Sequence, residues 1–420
     1  MEPSSRVIVV GAGVAGLVAA RRLVLGGRDV TVLEGSGRAG GQVARHAVGG
    51  LELDAGAESF ATRGGIVADL AGRLGLADDI VRPVDSPAWL FRADGTAMPL
   101  PATSLLGIPS VPLARDVIDA IGMRAALRAS LDLVLPNVVG GEAANLGELV
   151  RRRMGSAVLE QLVAPVVRGV HSVDPDDLPV ERANPGLRSA LRRDGSLAHA
   201  VAGIRGDSPA GSQVAGIRGG VVRLVDRLLA DLQRFGVEVR LDATPSVVAP
   251  DRVIVGGERL DGEVLIAAPE ARHGRSISLV TLVVDARELD AAPRGTGMLV
   301  ELGAPGVRAR ALTHLTAKWP WIAEEAGGLH ALRLSYDGLV AGTEAVAQAV
   351  ADASVLLGIP LDAPVDADVV TWERAVPRTH AVDGMHYVGE AGAGTGLAAV
   401  IAQAESEADS LLSGSPETQG

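Results

Sequence analysis

The chain has 420 residues, of which 47% are hydrophobic, a formal net charge of −12 and no cysteine. The acidic balance disfavours nucleic acid as a partner, and the lack of cysteine excludes disulfides, thiol catalysis and cysteine-bound metals. No metal site is predicted. No apolar run reaches the ~18 residues of a membrane span, and a strand that begins by Val7 leaves no room for a signal peptide. These properties predict a cytoplasmic protein of two or three domains whose redox chemistry comes from a cofactor.

A dinucleotide-binding motif opens the chain. Val7–Val10 is a short β-branched run typical of a buried parallel strand, and a G-x-G-x-x-G turn follows it directly. The turn comprises Gly11, Ala12, Gly13, Val14, Ala15 and Gly16. Its glycines allow a tight bend, a close approach to a pyrophosphate and close packing of the next helix, whose N-terminus favours an anion. The alternative is an ordinary βαβ unit closed by packing glycines.

An acidic residue ends the second predicted strand. Glu34 lies 18 residues after Gly16, where a carboxylate binds both ribose hydroxyls and repels a 2′-phosphate, so FAD or NAD is favoured over NADP. A second glycine-rich loop follows, and its predicted cofactor contacts are Gly35, Arg38, Gly41 and Gln42. The two motifs together resemble the amino terminus of flavin-containing amine oxidases, phytoene desaturases and porphyrinogen oxidases. This resemblance implies FAD.

The next predicted contact with the cofactor is a short loop after a strand pair. It comprises Ala55, Gly56, Ala57 and Glu58 and would pass under a flavin, with an ordinary turn as the alternative. Further on, Asn145 to Glu148 has the spacing of a helix capping box. The helix that follows carries an arginine triplet, which either binds a carboxylate or forms a solvated face. The triplet is Arg151, Arg152 and Arg153.

Three features of the second half point to the same cofactor site. Gly219-Gly220 precedes an amphipathic helix, and the strands after it, which include the predicted cofactor contact Val247, return the chain to the first domain. Lys318, the sole lysine, would hold a water near the flavin or meet a carboxylate. The last feature is a glycine-rich turn before a helix N-terminus, which suits the electron-rich side of a reduced flavin, although a plain loop is the alternative. Its predicted contacts are Gly389, Glu390, Gly394, Thr395, Gly396 and Leu397.

Motifs along most of the chain resemble one branch of this superfamily. Elements similar to those of bacterial coproporphyrinogen III oxidases, within the protoporphyrinogen-oxidase superfamily, are Gly56-Ala57-Glu58-Ser59-Phe60, Leu146-Gly147-Glu148, Lys318-Trp319-Pro320 and Ala393-Gly394-Thr395-Gly396-Leu397. The resemblance implies the FAD-dependent, oxygen-using oxidation of coproporphyrinogen III in heme biosynthesis. The alternatives are protoporphyrinogen IX oxidation, amine oxidation or desaturation, and flavin binding without turnover.

The resemblance also implies site residues and partners. Arg63 and Arg168 would bind substrate carboxylates, and Gly169, Lys318 and Arg333 would complete the substrate site. No catalytic residue is predicted beyond the candidate Lys318. The expected reactants are a porphyrinogen and molecular oxygen. Peripheral contact with a membrane and transient contact with a ferrochelatase are further expectations, and the oligomeric state is left open.

The predicted fold class is α/β, with a discontinuous Rossmann-like FAD-binding domain, a mixed-sheet substrate domain and a helical domain. The FAD-binding domain would comprise residues 1–80, 214–270 and 372–412. Residues 81–213 would be mainly helical, and residues 271–371 would form the substrate-binding sheet. Residues 413–420 would be a disordered tail.

Overall fold

The computed structural model describes residues 6–62, 64–171, 173–206, 214–267, 276–338, 342–373, 384–394 and 396–413. These residues form a parallel sheet flanked by helices, a large mixed sheet and a mainly helical unit, so the predicted α/β fold class is confirmed. Of the predicted tail, only Ser413 is described, as the last residue of a helix.

A five-stranded parallel sheet forms the centre of the first unit. In spatial order its strands are Glu238–Arg240, Asp29–Leu33, Arg6–Val10, Glu263–Ile266 and His386–Tyr387. Val7, Ile8 and Val9 in the central strand are fully buried, since both faces of the sheet are covered. The sheet therefore joins both ends and the middle of the chain.

Helices cover one face of the parallel sheet. They are Val14–Leu25, Ile66–Arg73, Arg223–Arg234, Glu390–Ala393 and Leu397–Ser413, with a 3₁₀ turn at Ala77–Asp79. Gly16 permits the first helix to approach the sheet, because a Cβ there would lie 2.0 Å from the Gly11 carbonyl oxygen. The apolar sides of the first and last helices pack together in one core.

Three smaller sheets complete this unit. The other face of the parallel sheet is covered by an antiparallel sheet of Pro245–Ala249, Arg252–Val255 and Glu258–Asp261. A second sheet contains Phe60–Ala61, Val214–Ile217 and Ile80–Val81, and a hairpin pairs Arg45–Val48 with Leu51–Asp54. The hairpin is the element that delivers the chain to the predicted cofactor loop at Ala55.

The second unit is a seven-stranded mixed sheet. Its strands, in spatial order, are Asp366–Glu373, Ser276–Val284, His330–Asp337, Ala311–His314, Gly297–Val300, Trp89–Phe91 and Ala97–Pro99. Its helices are Leu315–Lys318, Pro320–Ala326 and Gly342–Leu357, with a 3₁₀ turn at Arg287–Ala291. The last two strands lie within residues 81–213, which were assigned to the helical domain from the sequence. They join the sheet because Trp89–Phe91 pairs in parallel with Gly297–Val300, a partner that local sequence does not indicate.

The third unit is mainly helical. Its helices are Arg115–Ile121, Met123–Ser130, Leu146–Met154, Ser156–Val158, Ala164–His171, Val180–Ala183, Leu187–Asp194 and Leu197–Arg205, with a 3₁₀ turn at Leu131–Leu133 and a π-helical turn at Leu159–Val163. A short hairpin pairs Ser104–Leu105 with Ile108–Pro109. The predicted cap is confirmed, since Asn145 accepts a 2.8 Å hydrogen bond from the Glu148 amide. Across the described ranges, no helix combines the length and the apolar character needed to cross a membrane.

Arg153 of the predicted arginine triplet is fully buried and anchors this unit. Its Nε donates to Asp132, and Nη1 and Nη2 donate to five backbone carbonyls. Arg151 and Arg152 instead lie at the surface in ion pairs with Asp176 and Glu148. Arg153 thus binds a carboxylate, as one of the two alternatives has it, and only Arg151 and Arg152 lie on the surface; the sequence pattern does not reveal that the carboxylate is the buried Asp132.

Candidate active site

The two glycine-rich loops of the amino-terminal region face each other. Gly11 has a φ of 108°, which places it in the region that favours glycine, and the helix after it begins without a side-chain cap at Gly13. Gly40 donates a 2.8 Å hydrogen bond from its amide to the Ala12 carbonyl. A Cβ added at Gly13 would meet no atom within 4 Å, so open space adjoins the helix N-terminus. This is the arrangement in which backbone amides bind a pyrophosphate.

Glu34 directly follows the strand Asp29–Leu33 and lies beside this turn. Its Oε2 accepts a 2.8 Å hydrogen bond from the Ala12 amide, and Oε1 accepts a 2.9 Å bond from the Ser36 amide. Arg38 donates to the Gly41 carbonyl at 3.0 Å. Val247, the predicted contact in the antiparallel sheet, is 42% exposed. The structure thus groups Glu34, Arg38 and Gly41 around the first turn, and Val247 lies on a surface strand.

The loop after the hairpin and the carboxyl-terminal turn approach the second glycine-rich loop from two sides. A Cβ at Gly56 would lie 2.3 Å from the Gln42 carbonyl oxygen, so only glycine fits there. The Gln42 side chain donates to Glu390 at 3.0 Å and so connects this loop to the carboxyl-terminal turn. Gly389 has a φ of 107°, and a Cβ on it would lie 3.6 Å from Cβ of Ala15. Segments far apart in the chain therefore surround one space.

A buried charge cluster lies under the Ala55–Glu58 loop. The Lys318 ammonium is 2.6 Å from Glu58 Oε1, and Arg333 Nη1 is 3.6 Å from Glu58 Oε2. Arg333 also donates to the carbonyls of Asp54 and Gly56, the latter at 3.2 Å. These contacts connect the large sheet to the loop that was predicted to lie under the flavin.

Burial and charge act in opposite directions on the acids of this cluster. Burial pushes the pKa of Glu58 upward, but Lys318 and Arg333 outweigh it and hold this pKa below its usual value, with help from the Trp319 indole. Glu58 is therefore ionised. By strict geometry its Oε2 atom has no hydrogen-bond partner within the described ranges, and the same holds for Trp319 Nε1. Trp319 Nε1 and Arg333 therefore interact with Glu58, but neither makes a hydrogen bond of good geometry to Oε2.

Asp54 closes the lower side of the same loop. Its carboxylate accepts hydrogen bonds from the Val221 and Val222 amides, at 2.9 and 3.0 Å, before the helix Arg223–Arg234. Burial raises the pKa of Asp54 to about 6, although these two amides favour the charged form. Only glycine fits at position 220, because Gly220 has a φ of 94° and a Cβ on it would lie 2.9 Å from Asp54 Oδ1. The predicted Gly219-Gly220 turn is thereby joined to the cofactor loop.

A cavity of about 120 Å³ lies between the helical unit and the large sheet. Arg168 and Gly169 line it from the helix Ala164–His171, and Ser335 and Asp337 line it from the strand that carries Arg333. The Arg168 guanidinium is held by Asp174 at 2.5 Å. The predicted substrate residues Arg168 and Gly169 therefore meet at this cavity, whereas Lys318 and Arg333 lie in the charge cluster. Arg63 and Thr395 lie outside the described residues.

Comparison with known proteins identifies the family of this fold. Residues 14–273, more than half of the chain, match the family model described as flavin containing amine oxidoreductase. The chain belongs to the flavin-containing amine oxidoreductase family. Membership of this family confirms the predicted oxidoreductase class and the predicted cofactor, FAD.

Individual relatives match most of the chain. This chain is 25% identical over 359 residues to a coproporphyrinogen III oxidase of Staphylococcus aureus, and the match covers 76% of each of the two chains. It is also 24% identical over 368 residues to a coproporphyrinogen III oxidase of Bacillus subtilis, and this match covers 77% of this chain and 76% of the relative. A solved structure from Exiguobacterium, assigned as a protoporphyrinogen oxidase, has the same fold with a TM-score of 0.82, 24% identity and coverage of 98% and 99%.

The described residues of this flavin-containing amine oxidoreductase fit an FAD. Bare amides and open space adjoin Gly13, Glu34 is placed for a ribose, and Gly56 and Gly389 keep the backbone close to the enclosed space. The loop at Gly56 rests on Arg333 and on Trp372, whose Nε1 donates to the Ala55 carbonyl at 3.2 Å. These residues would hold the cofactor, which supplies the two-electron chemistry when it is bound.

Sequence reasoning missed several residues of the site. Asp54 directly precedes the predicted loop, and its position before a glycine turn was the available signal. Trp372 and Arg310 carried no such signal, since their partners lie far away in the chain. Arg310 pairs with Asp337 at the rim of the cavity. This pairing becomes visible only once the strands of the large sheet are in register.

Proposed function

We propose that this flavoenzyme oxidises coproporphyrinogen III to coproporphyrin III with molecular oxygen. The observation that carries the proposal is the match over 76% of both chains to a relative named coproporphyrinogen III oxidase. The geometry is consistent with it, because a cavity lined by Arg168 and Arg310 lies along the strand that carries Arg333, and Arg333 contacts the loop that would lie under the flavin. A substrate with an apolar centre and carboxylates at its rim suits such a site.

The overall reaction removes six electrons and six hydrogens from the macrocycle in three equal steps. Each step would remove a hydride and a proton from the substrate; FAD, when bound, would supply the two-electron chemistry that passes these electrons to one oxygen molecule and gives one hydrogen peroxide. Three oxygen molecules therefore give three peroxides. Formation of the aromatic macrocycle drives the reaction, so the protein needs little acid–base machinery and works mainly by positioning.

Two groups of residues would position the reactants: one would bind the substrate, and the other would support the loop under the flavin. Arg168, held by Asp174, would bind a substrate carboxylate and fix the orientation of the macrocycle. Lys318 and Arg333 would hold Glu58 and its loop in place under the flavin. Burial of this cluster would keep bulk water from the reacting bridge.

The other activities have weaker support in this chain. Amine oxidases of this fold would need an aromatic enclosure for the amine, and only nine aromatic residues are present, two of them tyrosines. Tyr336 donates its hydroxyl to Asp352 at 3.1 Å and is thereby committed to the core. Protoporphyrinogen IX oxidation and flavin binding without turnover are tested by the same assay.

The decisive experiment is the aerobic rise of porphyrin fluorescence with FAD-loaded protein. Coproporphyrinogen III and protoporphyrinogen IX are supplied in parallel, and autoxidation without protein is subtracted. A faster rise with coproporphyrinogen III is expected. No rise above autoxidation with either substrate, in protein that retains its flavin absorption, would overturn the proposal in favour of a scaffold without turnover.

A matched pair of arginine variants separates the substrate site from general charge effects. Arg168→Gln removes the guanidinium at the cavity, and we expect KM to rise about tenfold with little change in kcat. Arg151→Gln removes a surface arginine that is paired with Asp176 in the same way, 2.8 Å apart. Its kinetics should match those of the unaltered enzyme. Equal effects of the two changes would contradict a carboxylate contact at Arg168.

A second proposal is peripheral contact with a membrane through the helical unit. Leu127, Leu131, Val134 and Val138 lie in the helix Met123–Ser130 and in the 3₁₀ turn and loop that follow it, and they are 51%, 49%, 78% and 83% exposed. We call them the apolar strip. Exposed Arg115 and Arg124 lie near it in sequence, and basic residues that flank an apolar surface favour anionic lipid head groups. Transient contact with a ferrochelatase stays a prediction, which co-purification of the two proteins would test.

A further inference from the structure

The cavity beside Arg168 is too small for a whole macrocycle. Its volume is about 120 Å³, whereas pockets that enclose drug-sized ligands measure about 300–1,000 Å³. A cavity of about 150 Å³ in another protein holds one benzene ring. The space at Arg168 therefore suits one side arm of a larger ligand, such as a chain of three carbons that ends in a carboxylate.

The position of the cavity relative to the flavin loop matches such an arm. Arg333 contacts the carbonyls of Asp54 and Gly56 in that loop. Ser335 and Asp337 follow on the same strand and face the same way as Arg333, at about 7 and 13 Å along it. A macrocycle seated over the loop would thus extend a peripheral arm toward Ser335 and Asp337.

Two arginines from different units meet at this cavity. Arg168 comes from the helical unit and is held by Asp174, and Arg310 comes from the large sheet and is ion-paired with Asp337. Each of the four side chains is between about a quarter and two-fifths exposed, so the groups are accessible to a ligand. A guanidinium has five N–H donors, more than one carboxylate can use, so an acid that orients an arginine does not prevent it from binding a second carboxylate.

On the basis of the function proposed above, we propose that Arg310 determines specificity at the cavity by binding a substrate carboxylate together with Arg168. The substrate class is a porphyrinogen that carries an acidic arm at this position. A vinyl arm in the cavity would displace water from both guanidiniums, Ser335 and Asp337 without giving them a hydrogen bond in return. A site that forms hydrogen bonds with a polar group of its substrate strongly rejects an analogue that lacks this group. An apolar site rejects an analogue with an additional polar group less strongly.

The proposal predicts a change of preference in the variant Arg310→Leu. We expect its KM for coproporphyrinogen III to rise about tenfold to a hundredfold, with kcat and the reaction of protoporphyrinogen IX changed much less. Arg308→Leu is the matched control, because Arg308 is exposed on the same segment and is not among the described residues that line the cavity. The control should keep the kinetics of the unaltered enzyme. Equal losses with both substrates in Arg310→Leu would overturn the proposal.

The variant Asp337→Asn distinguishes substrate binding from a purely structural ion pair. It removes a negative charge from the cavity but keeps the shape, so the KM for coproporphyrinogen III should be no higher than in the unaltered enzyme. If the pair only stabilised the sheet, Asp337→Asn and Arg310→Leu would raise KM alike. That result would overturn the proposal.

A binding measurement tests the cavity independently of turnover. Coproporphyrin III and its tetramethyl ester are titrated into the FAD-loaded protein, and porphyrin fluorescence is recorded. Arg310→Leu should weaken binding of the tetra-acid about tenfold or more and leave binding of the ester unchanged. An equal change for acid and ester, or no change for either, would overturn the role of Arg310. Absence of turnover together with acid-selective binding would instead overturn only the proposed oxidation.

Discussion

Two buried charge clusters of this protein are built in different ways. In the helical unit, Arg153 and Asp132 are completely buried, and every nitrogen of the Arg153 guanidinium has a hydrogen-bond acceptor. Asp132 also accepts bonds from the amides of Leu197 and Ala198, at 3.1 and 2.7 Å, where the helix Leu197–Arg205 begins. The polar groups of this cluster satisfy one another.

The cluster under the flavin loop is less complete. Glu58 pairs with Lys318, but its Oε2 atom and the nearby Trp319 Nε1 have no hydrogen-bond partner of good geometry in the described parts of the chain. Lys318 and Glu58 are 18% and 16% exposed, whereas Arg153 and Asp132 are not exposed at all. A cluster whose hydrogen bonds are all made serves the fold, and one that keeps polar capacity beside a cofactor loop is a candidate for function.

The largest expected effect on stability is at Arg153. Arg153→Met removes six hydrogen bonds and leaves Asp132 buried without its cation, so the free energy of unfolding should fall by about 3–5 kcal/mol. Urea unfolding of the FAD-loaded protein measures this loss. Arg152→Met, which alters an exposed neighbour, should cost no more than about 0.5 kcal/mol. A similar cost in the two variants would refute the structural role of the buried pair.

The next largest expected effect is on the pH dependence of the free energy of unfolding, which Asp54 under the flavin loop should change. Because burial raises the pKa of Asp54 from 3.8 to about 6, the folded protein holds this proton more tightly than the unfolded chain does. The resulting stabilisation is complete below about pH 4 and is lost as pH rises through 6. A shift of about two units corresponds to about 3 kcal/mol. The stability of the unaltered protein relative to Asp54→Asn should fall by this amount between pH 4 and 7, and a constant difference would contradict it.

A smaller effect on stability and a larger one on the cofactor are expected at Lys318. Lys318→Met leaves Glu58 paired only with the more distant Arg333, at a cost of about 1–2 kcal/mol, since the pair is partly exposed. The visible absorption spectrum of the bound flavin should shift, and kcat should fall about tenfold. Lys318→Arg keeps the charge and serves as the control. If Lys318→Met alters unfolding but neither spectrum nor kcat, the cluster is structural like that at Arg153.

The smallest effect on stability is expected at the apolar strip. The double change Leu127→Ser and Val134→Ser affects exposed side chains, so unfolding should change by no more than about 1 kcal/mol. Co-sedimentation with vesicles that contain anionic lipid should nevertheless decrease severalfold. Unchanged vesicle binding would exclude this strip as the membrane contact. The result would show whether the surface of the helical unit has a function that its closed core does not.

Local features of the chain were predicted correctly where neighbouring residues decide them. Three such features are the glycine turn at Gly11, the acidic residue Glu34 directly after the second strand and the helix cap at Asn145. Each depends on residues within a few positions of one another. Their physical cause is short-range, since backbone freedom, strand burial and capping need no distant partner. The position of the FAD motif followed from the same local order, and the family comparison then confirmed the cofactor.

The charge partners were decided only by the tertiary structure. Lys318 and Glu58 are 260 positions apart, and Arg333 and Gly56 are 277 apart. Arg153 looked like its two neighbours in the sequence, yet it alone is buried, because the fold brings Asp132 and five carbonyls to that one side chain. The sequence by itself determined the fold class, the dinucleotide turn and the family resemblance. The structure decided which charges meet, because the strength of an ion pair depends on burial and distance, and neither is visible in the order of residues.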